Sequence, residues 1–185
     1  MKPREFGLWL YPYAVDVEKN EGINHTVLIA VPALETAWGE RIAKDINTGE
    51  ASNNLFNIKD TDTDSWHGEH VEIATTEYLT IYQVEDLRRR GHGVSFLDDV
   101  SYQGRRKCLI HDFFRKYYSP KESMDDFVHL IKTLDRYKEA WSLRGDPKKF
   151  CHALQAAGYA TDPAYGSKLS SIVWKIDKEI TREEK

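Results

Sequence analysis

The chain has 185 residues, of which 41% are apolar and 12% aromatic, and its formal net charge is −4. This length is typical of about one globular domain, and the apolar content excludes a largely disordered chain. The negative charge argues against nucleic acid as the main partner, and no stretch approaches the ~18 apolar residues of a membrane span, so we expect no stable membrane insertion.

The cysteines and the N-terminal residues indicate the compartment in which the chain is made. Cys108 and Cys151 are the only cysteines, and no metal-like spacing surrounds them. We expect two free, partly buried thiols in a reducing compartment, with a disulfide between them as the alternative. The apolar run near the N-terminus is too short and too soon interrupted for a signal peptide. The sequence therefore predicts synthesis in the cytoplasm.

Two helices are predicted in the N-terminal part of the chain. Residues 4–19 show an apolar stripe at helical spacing, formed by Phe6, Leu10, Tyr13 and Val17. Pro12 weakens this helix or kinks it. A second, strongly apolar helix is predicted from about residue 26 to residue 38, with Asn24 as its N-cap and Pro32 as a point of bending.

The second helix leads into the run ALETAWG at residues 33–39, which contains a single acidic residue, Glu35. A carboxyl group in this apolar stretch, beside Trp38, loses hydration, and burial disfavours its charged form. Glu35 would then keep its proton, as a general acid must. The alternative is a glutamate at the end of a helix that is simply turned to solvent.

The middle of the chain is predicted to form a small β region. Residues 45–68 are rich in Asn, Asp, Thr and Ser, which is typical of a loop, here around the apolar segment 55–58. Residues 71–78 are β-prone, and the alternating pattern of residues 107–118 predicts the partner strand. The charged stretch between these strands predicts an excursion outside the core.

The C-terminal third is predicted to be helical. Ser123 is a candidate N-cap, Asp146 followed by Pro147 begins a further helix, and Gly158 ends it. A last helix contains the apolar positions of segment 169–176. Helices at both ends of a small β insert predict an α+β protein with two unequal lobes.

Six blocks of this sequence are similar, in the same order, to blocks of glycoside hydrolase family 73, the lysozyme-like N-acetylglucosaminidases that include the flagellar peptidoglycan hydrolases. They are ALETAWG at 33–39, NLFNIK at 54–59, TTEY at 75–78, FRKYYSPKES at 114–123, DRY at 135–137 and GYATDPAYGSKL at 158–169. The resemblance covers roughly residues 6–176. It implies one lysozyme-like domain over residues 1–185, with a mainly helical lobe, a small β-hairpin lobe, a cleft between them, and an insert at about 79–106.

The resemblance also implies roles for individual residues. Glu35 corresponds to the general acid, and Glu77 to a second carboxylate that activates water or stabilises the oxocarbenium-like transition state. Tyr159 corresponds to a tyrosine that lines the cleft near the N-acetyl group of the substrate. Further contacts with substrate are expected from Trp38, Asn54, Phe56, Trp66, Thr75, Tyr117 and Asp162.

Some features depart from the family pattern or have a second interpretation. Asn57 stands where the family has glycine, and asparagine tolerates the left-handed conformation better than most residues. The long insert is a candidate lid over Glu77, whose side chain would face the cleft if Tyr78 packs beneath the strand. Glu69 and Glu72 are alternative second carboxylates, and the N-acetyl group of the substrate is an alternative nucleophile.

Other residues have a structural interpretation beside the functional one. His67 and His70 have the spacing of metal ligands, but loop histidines are more often solvated, so we expect neither a metal nor a cofactor. The basic runs at 88–90 and 105–107 predict a solvated face, with contact to anionic wall or membrane components as the alternative. Trp66 and the tyrosines at 117–118 suit sugar stacking and core packing equally.

The resemblance therefore implies an enzyme that cleaves the β-1,4 glycan of peptidoglycan on the reducing side of N-acetylglucosamine. We expect a monomer without a cofactor whose partner is the glycan strand. An N-acetylmuramidase, a lytic transglycosylase of the same fold and a non-catalytic wall-binding module are the alternatives. The compact length and the missing signal peptide predict a phage endolysin, which reaches the wall in the periplasm after holin-type release; a host autolysin exported by another route is the alternative origin.

Overall fold

The computed structural model describes residues 1–61, 66–98 and 104–181. Its helices are α1 (Pro3–Glu21), α2 (His25–Glu35), α3 (Ile81–Arg89), α4 (Pro120–Thr133), α5 (Lys138–Ser142), α6 (Pro147–Ala156) and α7 (Tyr165–Ile176). Its strands are β1 (His70–Leu79), β2 (Val94–Phe96) and β3 (Arg106–Arg115), joined in one antiparallel sheet in the order β1-β3-β2. The α+β class is therefore confirmed.

The chain divides into two compact units. The helical unit comprises Met1–Ile42, Asn53–Ile58 and the residues from Tyr117 onward, and the β unit comprises Ala43–Ser52 and Lys59–Lys116. The organisation as a single domain stays a prediction. None of the described helices is long and apolar enough to cross a membrane.

Helices α1 and α2 begin as the sequence predicts, but α2 ends earlier. The Oδ1 atom of Asn24 accepts a hydrogen bond from the Thr26 N–H at 3.0 Å and caps α2, whose residues from Thr26 to Ala33 are all buried. The predicted end at Trp38 is wrong, because the helix stops at Glu35 and both Ala37 and Trp38 adopt positive φ. An almost wholly apolar helix is stable only when it is surrounded by protein, and α2 accordingly lies in the core of the helical unit.

The β unit contains more structure than the sequence indicated. The strand pair is confirmed, since β1 and β3 pair over their full length and the side chains of residues 108, 110, 112 and 114 are buried. The insert, expected to lie outside the core, instead supplies α3 and β2. Val84 of α3 and Val94 of β2 pack with Leu79, Cys108 and Ile110 in a buried cluster. Part of the insert, residues 99–103, lies outside the described residues.

The prediction that Ser123 is the N-cap of α4 is wrong. The Ser119 Oγ atom accepts a hydrogen bond from the Glu122 N–H at 3.2 Å, so Ser119 is the N-cap. Ser123 lies one turn inside the helix, fully buried, where its Oγ accepts from the Leu55 N–H at 3.0 Å. The predicted bounds of α6 are confirmed, with Asp146 as N-cap and a left-handed Gly158 after the helix.

The two cysteines are both free and buried, which confirms the predicted unpaired thiols. Burial raises the pKa of the Cys151 thiol to about 11 and also raises that of Cys108. Because a thiolate is the reactive form of cysteine, neither residue has the character of a nucleophile.

Candidate functional site

Glu35 is the last residue of α2, and both of its carboxylate oxygens accept hydrogen bonds. Its Oε1 accepts from the Tyr165 hydroxyl at 2.7 Å, and its Oε2 accepts from the Asn57 Nδ2 at 3.1 Å. The side chain is only partly exposed. A glutamate simply turned to solvent is therefore the wrong interpretation, although the groups that hold the carboxylate are polar rather than apolar.

A tight turn after α2 determines where Glu35 stands. The Thr36 hydroxyl donates to the Pro32 carbonyl at 2.6 Å and accepts from the Gly39 N–H at 2.9 Å. These bonds replace helical ones while Ala37 and Trp38 take left-handed φ values of 50° and 60°. Each such non-glycine residue costs about 1–2 kcal/mol, so the turn persists only because the surrounding packing and hydrogen bonds maintain it.

Two tyrosines lie behind the Glu35 carboxylate. Tyr165, at the start of α7, is only 3% exposed, and its ring centroid is 5.9 Å from that of Tyr159. Burial raises the pKa of both phenols, and the negative charge of Glu35 raises each further. Both tyrosines are therefore neutral over the physiological pH range and carry a hydroxyl proton that can be donated.

The Tyr159 hydroxyl is already engaged within the protein, since it donates to the Phe56 carbonyl at 2.8 Å. Its predicted position near the N-acetyl group of a substrate stays a prediction. Tyr165 was missed by the sequence reasoning as a partner of Glu35. The signal was present, because Tyr165 is the second tyrosine of the block at 158–169.

The segment Asn53–Ile58 lies beside Glu35, but two of its side chains that were expected to contact substrate are buried. Asn54 is fully buried, and its side-chain amide exchanges hydrogen bonds with the Ile58 N–H and C=O at 3.0 and 2.8 Å. Phe56 is also buried and stacks on Phe127 with 4.3 Å between ring centroids. Substrate contacts by these two buried side chains stay predictions. Asn57 has a φ of 51°, which confirms the expected left-handed conformation.

The remaining predicted contacts in the helical unit differ in availability. Tyr117 is buried, and its hydroxyl donates to Asp126 at 2.6 Å, so a substrate contact by Tyr117 stays a prediction. Trp38 is partly exposed, and its ring contacts Phe6 edge-on with 6.0 Å between centroids. Asp162 forms an ion pair with Lys168, which holds the pKa of Asp162 below its usual value. Substrate contacts by Trp38 and Asp162 stay predictions.

Glu77 lies in the β unit and is exposed. It lines a pocket of about 490 Å³ together with the paired Lys59 and Asp112, four side chains of α3, and Arg90 directly after that helix. Tyr78, expected beneath the strand, is instead 55% exposed. The reason is that Val84 of α3 packs with Leu79 and with Cys108, the residue opposite Glu77 in the sheet, so α3 lies beside the exposed Glu77 and the Tyr78 face of β1 is left open.

Two other predicted residues of the β unit are Thr75, in the middle of β1, and Trp66, which lies four residues before that strand. Thr75 is on the same face as Glu77, and its Oγ1 atom is buried without a hydrogen-bond partner among the described residues. Trp66 is partly exposed, donates from Nε1 to the Glu69 carbonyl at 3.2 Å and lies under the Arg115 guanidinium. Sugar contacts by Thr75 and Trp66 stay predictions.

The two alternative second carboxylates, Glu72 in β1 and Glu69 directly before it, each have a partner. Glu69 pairs with Lys116 at 2.9 Å, and Glu72 accepts from the His111 Nδ1 at 2.7 Å. His70 contacts Asp60 at 3.0 Å. Within residues 1–61, 66–98 and 104–181, no three His, Cys, Asp or Glu side chains are grouped so as to hold a metal ion.

Sequence comparisons with known proteins identify a matching family and a similar enzyme. The sequence model of the family Glucosaminidase, described as mannosyl-glycoprotein endo-beta-N-acetylglucosaminidase, matches residues 11–178. The peptidoglycan hydrolase FlgJ of Vibrio parahaemolyticus is 32% identical over 175 residues, which cover 95% of this chain and 48% of that protein. The chain thus spans about half the length of this curated relative.

Solved structures agree over almost the whole chain. The glycoside hydrolase domain of Salmonella typhimurium FlgJ has a TM-score of 0.70 and 28% identity, covering 100% of this chain and 94% of its own. A peptidoglycan hydrolase mutant from Sphingomonas sp. A1 has a TM-score of 0.70 and 29% identity, covering 97% and 99%.

Proposed function

The chain belongs to the glucosaminidase family, as its resemblance to glycoside hydrolase family 73 predicts, and on that premise we propose that it hydrolyses peptidoglycan as an endo-β-N-acetylglucosaminidase. The observation that carries the proposal is the Glu35 carboxylate, held at the end of α2 by one hydrogen bond to each oxygen. The names of its relatives, which are peptidoglycan hydrolases, support the substrate class.

Glu35 is proposed as the general acid. Cleavage of a glycosidic bond requires a proton on the departing oxygen, and a partly exposed carboxyl group can deliver it. The neutral Tyr165 hydroxyl can accept from the protonated carboxyl and donate to the carboxylate, so it orients Oε1 in both states. After proton transfer, the hydrogen bonds from Tyr165 and Asn57 stabilise the anion that remains.

Glu77 is proposed as the second carboxylate, which activates water or stabilises the positive charge that develops on the sugar. Its exposure in the pocket beside α3 supports this role. Within the described residues Glu77 has no ion-pair partner, in contrast to Glu69 with its lysine and Glu72 with its histidine. If the N-acetyl group of the substrate is the nucleophile, Glu77 serves only to orient it.

The test of the activity is the substitution Glu35→Gln, which keeps the shape of the side chain and removes the acid. We expect at least a ~100-fold loss in the clearing of permeabilised Gram-negative cells, because general acid catalysis contributes about that much. Glu40→Gln is the matched control, since Glu40 is exposed and five residues further along the chain. If wild type and Glu35→Gln clear cells equally poorly while both bind sacculi, the chain is a wall-binding module instead.

Mass spectrometry of digested peptidoglycan identifies the bond that is cut. Products that end in reducing N-acetylglucosamine are expected from this proposal. Reducing N-acetylmuramic acid ends would instead indicate a muramidase, and anhydro ends a lytic transglycosylase.

We also propose that the enzyme acts as a monomer and reaches the wall through a membrane lesion opened by another protein. Cells that express the chain alone should stay intact and should lyse when a holin is co-expressed. Rapid lysis by the chain alone contradicts this route, and a dimer in size-exclusion chromatography contradicts the monomer.

A further inference from the structure

Asn57 contacts Glu35 twice with one atom. Its Nδ2 lies 3.3 Å from the Glu35 carbonyl oxygen and 3.1 Å from the Oε2 of the same residue. The carbonyl is one of the last in α2, which have no partner within the helix. Asn57 therefore caps the end of the helix from another segment and holds the carboxyl group of its final residue.

The contact with the carbonyl determines which way the Asn57 amide faces. A backbone carbonyl oxygen only accepts hydrogen bonds, so the NH₂ group, not the oxygen, must lie toward α2. The same NH₂ group then donates to the Glu35 Oε2, which accepts through a lone pair. The Tyr165 hydroxyl contacts the other oxygen, Oε1, so the two partners together fix the plane of the carboxyl group.

We propose that Asn57 is a positioning residue for the catalytic acid, whose amide fixes the orientation of the Glu35 carboxyl group. The inference rests on the proposed role of Glu35. It assigns a function to Asn57, which stands where the family has glycine. From the motif alone, this difference indicates only a substitution that the backbone tolerates.

The segment around Asn57 is rigid enough for this role. Asn54 closes the loop through two hydrogen bonds to Ile58, and the Leu55 N–H is held by the buried Ser123 Oγ. The same loop holds the left-handed backbone at position 57, with φ of 51°. A group held in this way needs no reorganisation when the proton is transferred.

The test uses three residues that tolerate a positive φ, namely Asn, Asp and Gly, so that the backbone is retained in every variant. Asn57→Gly removes the amide, and Asn57→Asp replaces it with a second carboxylate. The control is Asn53→Gly, because Asn53 has the same left-handed conformation, with φ of 52°, but donates to the Tyr117 carbonyl at 2.9 Å and not to Glu35.

The readouts are kcat, KM and the pH–activity profile on soluble glycan oligomers. We expect Asn57→Gly to lower kcat about tenfold, with KM changed by less than about twofold, since a hydrogen bond to a charged group is lost. Its alkaline limb should move to higher pH, because the ionised carboxylate loses a donor, and Asn57→Asp should move the limb further because a like charge is added. The other groups that face this carboxyl are the phenols Tyr165 and Tyr159, with Arg136 acting on the latter, and all three are unchanged in these variants.

Asn53→Gly should change neither kcat nor the limb. The proposal is overturned if Asn57→Gly keeps the kcat and the alkaline limb of the wild type. It is also overturned if both glycine variants lose kcat equally without a shift of the limb. Retained activity in Glu35→Gln would instead refute the proposed role of the acid, so the two failures are distinguishable.

Discussion

Ser123 offers a direct test of how the core of the helical unit supports the site. Its Oγ atom is the acceptor for the Leu55 N–H at 3.0 Å, and both residues are fully buried. Leu55 begins the stretch that leads to the Phe56 carbonyl and to Asn57, the contacts of Tyr159 and Glu35. The substitution Ser123→Ala therefore removes an anchor two residues away from a partner of the acid.

The expected loss in the free energy of unfolding is the difference between two opposing effects. A buried N–H left without a partner costs about 1–3 kcal/mol of the free energy of unfolding. Replacing serine by alanine inside a helix returns about 0.5 kcal/mol through higher helix propensity. The net loss is about 0.5–2.5 kcal/mol, and a chain of this size loses about 2–4 °C in melting temperature per kcal/mol. We expect the melting temperature to fall by ~1–10 °C, with a decrease in kcat because Asn57 is less firmly held.

The assay combines thermal unfolding followed by circular dichroism with clearing of permeabilised cells. Ser119→Ala is the matched control, since Ser119 caps the same helix from a partly exposed position and its hydroxyl accepts from the Glu122 N–H. That variant should lose about 1 kcal/mol of stability and no activity. If Ser123→Ala melts within about 1 °C of wild type with unchanged activity, the anchor is not needed and the reasoning fails.

Glu77→Gln should lower cell clearing strongly, whereas Glu69→Gln and Glu72→Gln should be nearly silent, because Glu69 is held by an ion pair with Lys116 and Glu72 by a hydrogen bond with His111. Full activity of Glu77→Gln moves the role to another group. Tyr165→Phe removes the 2.7 Å hydrogen bond to the acid and should lower kcat about tenfold with little change in KM, which steady-state kinetics on soluble glycan would contradict if kcat were unchanged. Hydrogen bonds from backbone N–H groups lower the pKa of Asp45 below the ordinary 3.8, so its contribution to stability is present above that pH and is lost as the pH falls through the lowered pKa. The melting-temperature difference between wild type and Asp45→Asn should therefore shrink in acid, and a constant difference down to the lowest pH contradicts this.

The sequence predicted the order of the elements well wherever the signal is local. Asn24 and Asp146 cap helices as expected, because a capping side chain bonds to a backbone only two or three residues away. The alternation in β3 predicted its buried face for a similar reason, since successive side chains of a strand point in opposite directions. The insert was misjudged because a short helix such as α3 carries few apolar residues, and its Val84 is buried only when the sheet is present.

The candidate site shows the same difference between local sequence signals and contacts made by distant elements. The block around Glu35 singled out the proposed acid, and the same kind of block also proposed substrate contacts by Asn54, Phe56 and Tyr117, whose side chains are buried. A motif reports that a residue matters to the family, and it does not distinguish a residue that closes a loop from one that meets a ligand. Burial distinguishes them, and burial depends on elements elsewhere in the chain.

By itself, therefore, the sequence determined the α+β class, the caps of α2 and α6 and the family, since each of these is written in neighbouring residues. Only the tertiary structure decided what surrounds Glu35, the proposed acid. The Tyr165 hydroxyl that contacts Glu35 is 130 residues away along the chain, and the Asn57 amide is 22 residues away. Such contacts arise from the packing of α7 against α2 and from a left-handed turn at Asn57, and neither the distance between two helices nor the direction of a side chain is encoded in a local pattern.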